Sequence, residues 1–161
     1  MSSYKMIGMA LVLLSALCLM RAYSAFLKKR RAEGEELYRF LLHICSGVRR
    51  SLGTPRELAD EFSSSLPSVS SFLSLAASGT PLGEAYSSAS FSLGEKLSAE
   101  FFALFSGFGR GYLDSELARL DDYSERIAEL LRTEGEESEK SERCVRAVIF
   151  AVALGIVILL I

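Results

Sequence analysis

The sequence predicts an all-α fold, a helical bundle domain held between N- and C-terminal transmembrane helices, and three observations carry that prediction. Half of the 161 residues are hydrophobic and the mean hydropathy is +0.27, high for a soluble domain of this length. The strongest apolar runs lie at the two ends. Between them the apolar positions recur at helical spacing, no useful stretch alternates with the period of a strand, and prolines occur only at positions 55, 67 and 81. The implied organisation is a transmembrane helix over 6–26, a cytoplasmic helical bundle over 27–143 and a second transmembrane helix over 145–161.

The first apolar run, Ile7 to Phe26, contains Arg21 as its one charge, and its 20 residues would span about 30 Å as a helix. A secretory signal peptide is the rival reading. Lys5 would be its basic start, Ile7 to Leu19 its apolar core, and Ala22-Tyr23-Ser24 its cleavage site. Tyr23 and Phe26, suited to the membrane interface, and the basic run Lys28-Lys29-Arg30-Arg31, which would hinder export, favour an uncleaved anchor. The helix should continue past Glu35, with Leu37, Phe40, Leu41, Ile44 and Val48 on one stripe, and end near Gly53.

A second helix starts at Gly53-Thr54-Pro55-Arg56-Glu57. Thr54 is placed to cap free N–H groups, Pro55 needs no donor in the first turn, and Glu57 completes a capping box. Gly79-Thr80-Pro81-Leu82-Gly83-Glu84 repeats this start, with Thr80 and Pro81 as the corresponding cap residues and Ala85 at the offset of Ala59. Two independent helix starts and an internal duplication of a helical hairpin both account for it. Serines crowd residues 63–74 and 87–92, yet Phe62, Leu66, Val69, Phe72, Leu73 and Leu75 interleave with the first set. That is too apolar for a linker, so short helices with serine-rich faces are expected.

Glu95 to Phe108 predicts another helix, whose Leu97, Phe101, Phe102, Leu104, Phe105 and Phe108 should supply core. Gly-Phe-Gly-Arg-Gly at 107–111 lacks the spacing and context of a dinucleotide loop and reads as a turn. Gly111 closes that turn, and Asp114 is the expected cap of the last helix, with Leu117, Leu120, Ile127, Leu130 and Leu131 on its apolar face. From Thr133 the helix becomes acidic before Val145 to Ile161. There Arg146 is placed to snorkel, leaving Ala147 to Ile161 for the hydrocarbon, and Gly155 would permit close helix approach.

Charge placement sets topology and excludes functions. All 20 acidic residues fall between Glu33 and Glu142, whereas Arg21, Lys28 to Arg31, Lys140, Arg143 and Arg146 flank the apolar ends. The positive-inside rule then puts the central domain in the cytoplasm. No basic face for nucleic acid is present on that domain. Cys18, Cys45 and Cys144 lack framework spacing, and free thiols are expected. His43, the single histidine, has no partner set for zinc, and no phosphate loop, nucleophile elbow or paired-carboxylate cleft can be traced. The reading is a protein that is not an enzyme, with no cofactor, no metal and no small-molecule substrate.

The layout is similar to that of the stage III sporulation protein AB family. Gly53-Thr54-Pro55 resembles the family's Gly/His-Thr-Pro-Leu start, with Arg56 in place of Leu. Gly111-Tyr112-Leu113-Asp114 resembles its Gly-x-x-Asp, and the acidic run ahead of Val148 to Ile161 resembles its ending. Ala118 stands where the family commonly has Gln, and of its glycines at the last membrane segment only Gly155 remains. The resemblance implies a mother-cell membrane protein with a cytoplasmic domain similar to the inner-membrane platform proteins of type II secretion and type IV pilus machines. It implies as partners an ATPase like stage III sporulation protein AA and other subunits of the channel between mother cell and forespore. The candidate contact is the acidic face with Asp121, Asp122, Glu125 and Glu129, extended by Glu136 and Glu137. The alternative is an exported envelope structural protein anchored by its C-terminus.

Overall fold

The computed structural model describes residues 3–50, 54–109 and 112–160. Among them are six α-helices and no strand: α1 Ser3–Arg49, α2 Pro55–Glu61, α3 Pro67–Ala77, α4 Leu82–Ser88, α5 Glu95–Gly107 and α6 Leu113–Leu160. The chain divides into two compact units, one of Lys29–Glu134 and one of Met1–Lys28 with Gly135–Ile161.

In the unit Lys29–Glu134, the predicted stripe of α1 is the spine of the core. Leu37, Phe40, Leu41 and Ile44 are fully buried at three- and four-residue steps, with Cys45 beside them. On α6, Leu120 and Ile127 complete the cluster. The two helices run antiparallel here, Arg49 pairing with Asp121 at 2.6 Å and Arg30 with Glu134 at 3.0 Å. The short helices α2 and α4 each pack on the longer helix that follows, and this short–long alternation leaves both explanations of the sequence repeat open. Aromatic rings fill the centre: Phe72 lies 5.1 Å from Phe105 and 5.7 Å from Phe40, and Tyr86 stacks on Phe91 at 4.9 Å.

The helix ends show which local signals operate. At α2, the Glu57 N–H donates to Thr54 Oγ1 at 3.4 Å and the Thr54 N–H donates to Glu57 Oε2 at 2.6 Å, a complete capping box with Pro55 in the first turn. The second Thr-Pro segment behaves differently. Thr80 does not cap α4; its N–H reaches back to the Leu75 carbonyl at 3.2 Å while the Gly79 N–H donates to Ala76 at 3.0 Å, closing α3. Gly79 holds the positive φ of +99° that this closure requires. Pro81 is the residue before α4 and offers no side-chain cap. The reason lies three residues after Thr80, where Gly83 occupies the position of the box's glutamate and has nothing to reach back with.

Two further expectations change. Asp114 lies inside the first turn of α6, where the Glu116 N–H bonds to the Tyr112 carbonyl, so it faces the helix dipole and does not cap. Gly111 lies outside the described residues. On α5, Leu97, Phe101, Leu104 and Phe105 are buried as expected, but Phe102 is 47% exposed. Neighbours on a helix point about 100° apart, and Phe101 already takes the inward direction. The helix closes into the predicted turn, with Gly109 at φ +78°.

The other unit is a pair of helices, the first part of α1 and the last part of α6. Tyr23 and Ser141 hydroxyls lie 2.9 Å apart, and Ser24 Oγ donates to Glu142 Oε1 at 2.5 Å. Small side chains sit in the seam, Ala16 and Ala153 being buried. Large apolar side chains cover the outside, among them Leu11, Leu14 and Leu17 on α1 and Phe150, Val152 and Ile158 on α6. Among the described residues, α1 contains a stretch long and apolar enough to cross a membrane.

Candidate functional site

The acidic face read from the sequence exists only in part. Asp121, Asp122, Glu125 and Glu129 lie on α6 in the unit Lys29–Glu134, whereas Glu136 and Glu137 are exposed residues of the helix-pair unit. Three of the first four are paired within the chain. Asp121 accepts from Arg49 at 2.6 Å, Asp122 from Arg126 at 2.6 Å, and Glu129 from Arg132 at 2.6 and 3.1 Å. Arg126 also lies over the Tyr123 ring, 4.5 Å from its centroid. Arg132 holds the Glu129 carboxyl below the usual carboxylate range, first by hydrogen bonding and then by its charge. Glu125 alone of the four is exposed without an ion pair among the described residues. The face is therefore close to neutral, a ladder of ion pairs with one uncompensated carboxylate.

The Thr-Pro segments meet at a different place. Pro55 and Arg56 at the start of α2 and Thr80 and Pro81 ahead of α4 line one open groove of about 730 Å³. Phe102 and Phe105 of α5 form part of its wall. The exposed Phe102 ring thus has a setting that the linear sequence does not display: an apolar wall beside the Arg56 and Glu84 charges.

Sequence reasoning missed Glu33. Its side chain is fully buried, yet it takes two short hydrogen bonds, from Ser68 Oγ to Oε1 at 2.6 Å and from the Ser92 N–H to Oε2 at 2.6 Å. Lys29 Nζ stands 3.7 Å away. Helix α3 has no side-chain cap of its own, so the carboxylate brought by α1 serves its first turn and ties down the segment after α4. Glu33 stands four residues after Lys29, which reads as an ordinary solvated pair; only the tertiary donors distinguish it.

Remaining reactive groups are scattered. His43 Nε2 lacks a hydrogen bond and lies 3.9 Å from Glu61, its ring tilted against Phe62. Cys45 is buried, and its thiol is pushed up first by burial and then by the charge of Asp121. Cys18 and Cys144 are free and exposed. No group of three metal-ligating side chains is assembled among the described residues. The arrangement offers surfaces and buried polar ties, with the aromatic groove and the α6 ladder as its candidate contacts. A family model described as stage III sporulation protein AB matches residues 5–161. No curated protein and no solved structure matches the chain.

Proposed function

Because the chain belongs to the stage III sporulation protein AB family, we propose that it is a non-enzymatic membrane platform, a subunit of the secretion-like sporulation channel that docks a secretion-type ATPase. Both apolar ends span the mother-cell membrane as a hairpin, and the unit Lys29–Glu134 lies on the cytoplasmic side. The observation that carries this reading is the two-part build: a packed helical unit on the same two helices that form an apolar pair. The hydrogen bonds from Tyr23 and Ser24 to the last helix support an N-terminus that stays attached, since a cleaved leader has no structural need of a partner. The basic residues beside both apolar ends support the orientation. In this reading the helical unit receives the motion of the ATPase and passes it to membrane components through α1 and α6.

The α6 ladder around Glu125 is the proposed contact. The test is co-purification of the full chain in dodecyl maltoside with the sporulation ATPase, at low and high salt. Salt-sensitive capture that Glu125→Lys abolishes supports the contact. Capture unaffected by salt but lost in Phe102→Ser moves it to the aromatic groove. No capture of the ATPase under either condition would falsify the docking role.

A further inference from the structure

In the helix-pair unit, a cleft of about 430 Å³ is lined by Arg21, Ser24 and Lys28 of α1 and Arg146 of α6, with Leu17 and Met20 at its apolar end. The charges around it do not balance. Glu142 is bound by Arg146 at 2.5 Å and by the Ser24 hydroxyl at 2.5 Å, so one of the three cations has its counter-ion. Lys28 is exposed, and its charge acts on that same carboxylate. Arg21 is exposed and has no ion pair among the described residues, although it stands toward the end of an apolar stretch, where an uncompensated charge is costly. A cleft that is cationic at one end and apolar at the other has the polarity profile of a glycerophospholipid: a phosphodiester above, an acyl chain below.

We propose that this cleft is a binding site for the headgroup of an anionic phospholipid. The guanidinium groups of Arg21 and Arg146 and the Lys28 ammonium hold the phosphate, and Leu17 and Met20 receive the upper acyl chain. The site rests on the reading of the helix pair as a membrane hairpin, in which Arg21, Lys28 and Arg146 fall at the boundary between hydrocarbon and headgroups on the cytoplasmic side. Arg21 then has its counter-ion in the lipid and not in the protein. An inorganic phosphate would satisfy the same cations but would gain nothing from Leu17 and Met20.

The experiment is native mass spectrometry of the full chain released from dodecyl maltoside. Phosphatidylglycerol and phosphatidylcholine of identical acyl chains are the competing probes, with millimolar inorganic phosphate added in a third arm. The chain should retain phosphatidylglycerol at least ~10-fold better, and inorganic phosphate should not displace it. Each uncompensated cation that lines the cleft and meets the headgroup is worth a several-fold preference, so Arg21→Gln with Lys28→Gln should reduce the preference to about 2-fold or less. Lys140→Gln, a basic residue of the same unit outside the cleft, should leave it unchanged. Equal retention of both lipids, displacement by inorganic phosphate, or an equal loss in Lys140→Gln overturns the site. Alkaline extraction of membranes reads the hairpin separately. A chain released as soluble protein refutes the hairpin and the site together. A chain kept in the membrane without lipid preference refutes the site alone.

Discussion

Removing the Glu33 carboxylate should unfasten the central unit in a way that depends on what replaces it. The carboxylate, itself fully buried, accepts from Ser68 Oγ and from the Ser92 N–H, each at 2.6 Å and each donor on a half-buried residue. Hydrogen bonds to a charged group are worth about 1.5–3 kcal/mol, and a buried donor left alone costs about 1–3 kcal/mol. Release of the buried charge from its own desolvation offsets part of this. Glu33→Ala, which strands the Ser92 N–H, should therefore cost about 3 kcal/mol. Glu33→Gln keeps an oxygen for Ser92, and its amide can donate to the Ser68 hydroxyl once that rotor turns, so the loss should be about 1 kcal/mol. Ser92→Ala should be nearly neutral, because the donor is the backbone. The assay is urea unfolding of the full chain in dodecyl maltoside, followed by tyrosine fluorescence, to which Tyr86 in the core contributes. If Glu33→Ala and Glu33→Gln unfolded at the same urea concentration, or Ser92→Ala matched either, the hydrogen-bond argument would be wrong.

Other outcomes follow from the same geometry. A methyl group on Gly83 would stand 2.8 Å from the Ser106 Cα, so Gly83→Ala should force α4 from α5 and cost about 1–3 kcal/mol. Gly135→Ala, with open space around it in α6, should instead stabilise by about 0.5–1 kcal/mol; equal urea midpoints for the two variants would contradict both. The Thr54 backbone N–H, and then its hydroxyl, hold the Glu57 carboxyl below the usual carboxylate range. The stabilisation is present above the unfolded carboxylate pKa of about 4.3 and is lost as pH falls through the lower folded value. Thr54→Ala should raise the midpoint of the Glu57 titration, read by NMR of its side-chain carbon. Cys45, with its thiol raised by burial and by Asp121, should react with iodoacetamide at neutral pH only after urea unfolding. Rapid labelling of the folded chain in a Cys18→Ser/Cys144→Ser background would refute its burial.

Periodic apolar patterning carried most of the fold into view, because it records a constraint that every turn repeats. The α1 stripe from Leu37 to Ile44, the buried face of α5 and the capping box at Thr54 each depend on residues within a few positions of one another. Signals resting on one residue fared worse. Thr80-Pro81 looked like Thr54-Pro55, yet Gly83 in place of the box's glutamate leaves α4 uncapped and lets Thr80 close the helix before it. Phe102 looked like core by composition, and the helical angle beside Phe101 puts it on the wall of the groove.

The sequence by itself determined that the chain is all-helical, where its apolar ends lie, and which family pattern it follows, since these depend on composition and short-range spacing. Only the tertiary structure decided what the charges do. Arg49 meets Asp121 across 72 positions, Glu33 meets Ser92 across 59, and Arg146 meets Ser24 across 122. A carboxylate's role is set by the donors and dielectric around it, and those are supplied by residues distant in sequence whose approach no local pattern encodes. The acidic face of α6 thus became a ladder of ion pairs that leaves Glu125 uncompensated, and Glu33 became the polar tie of the core.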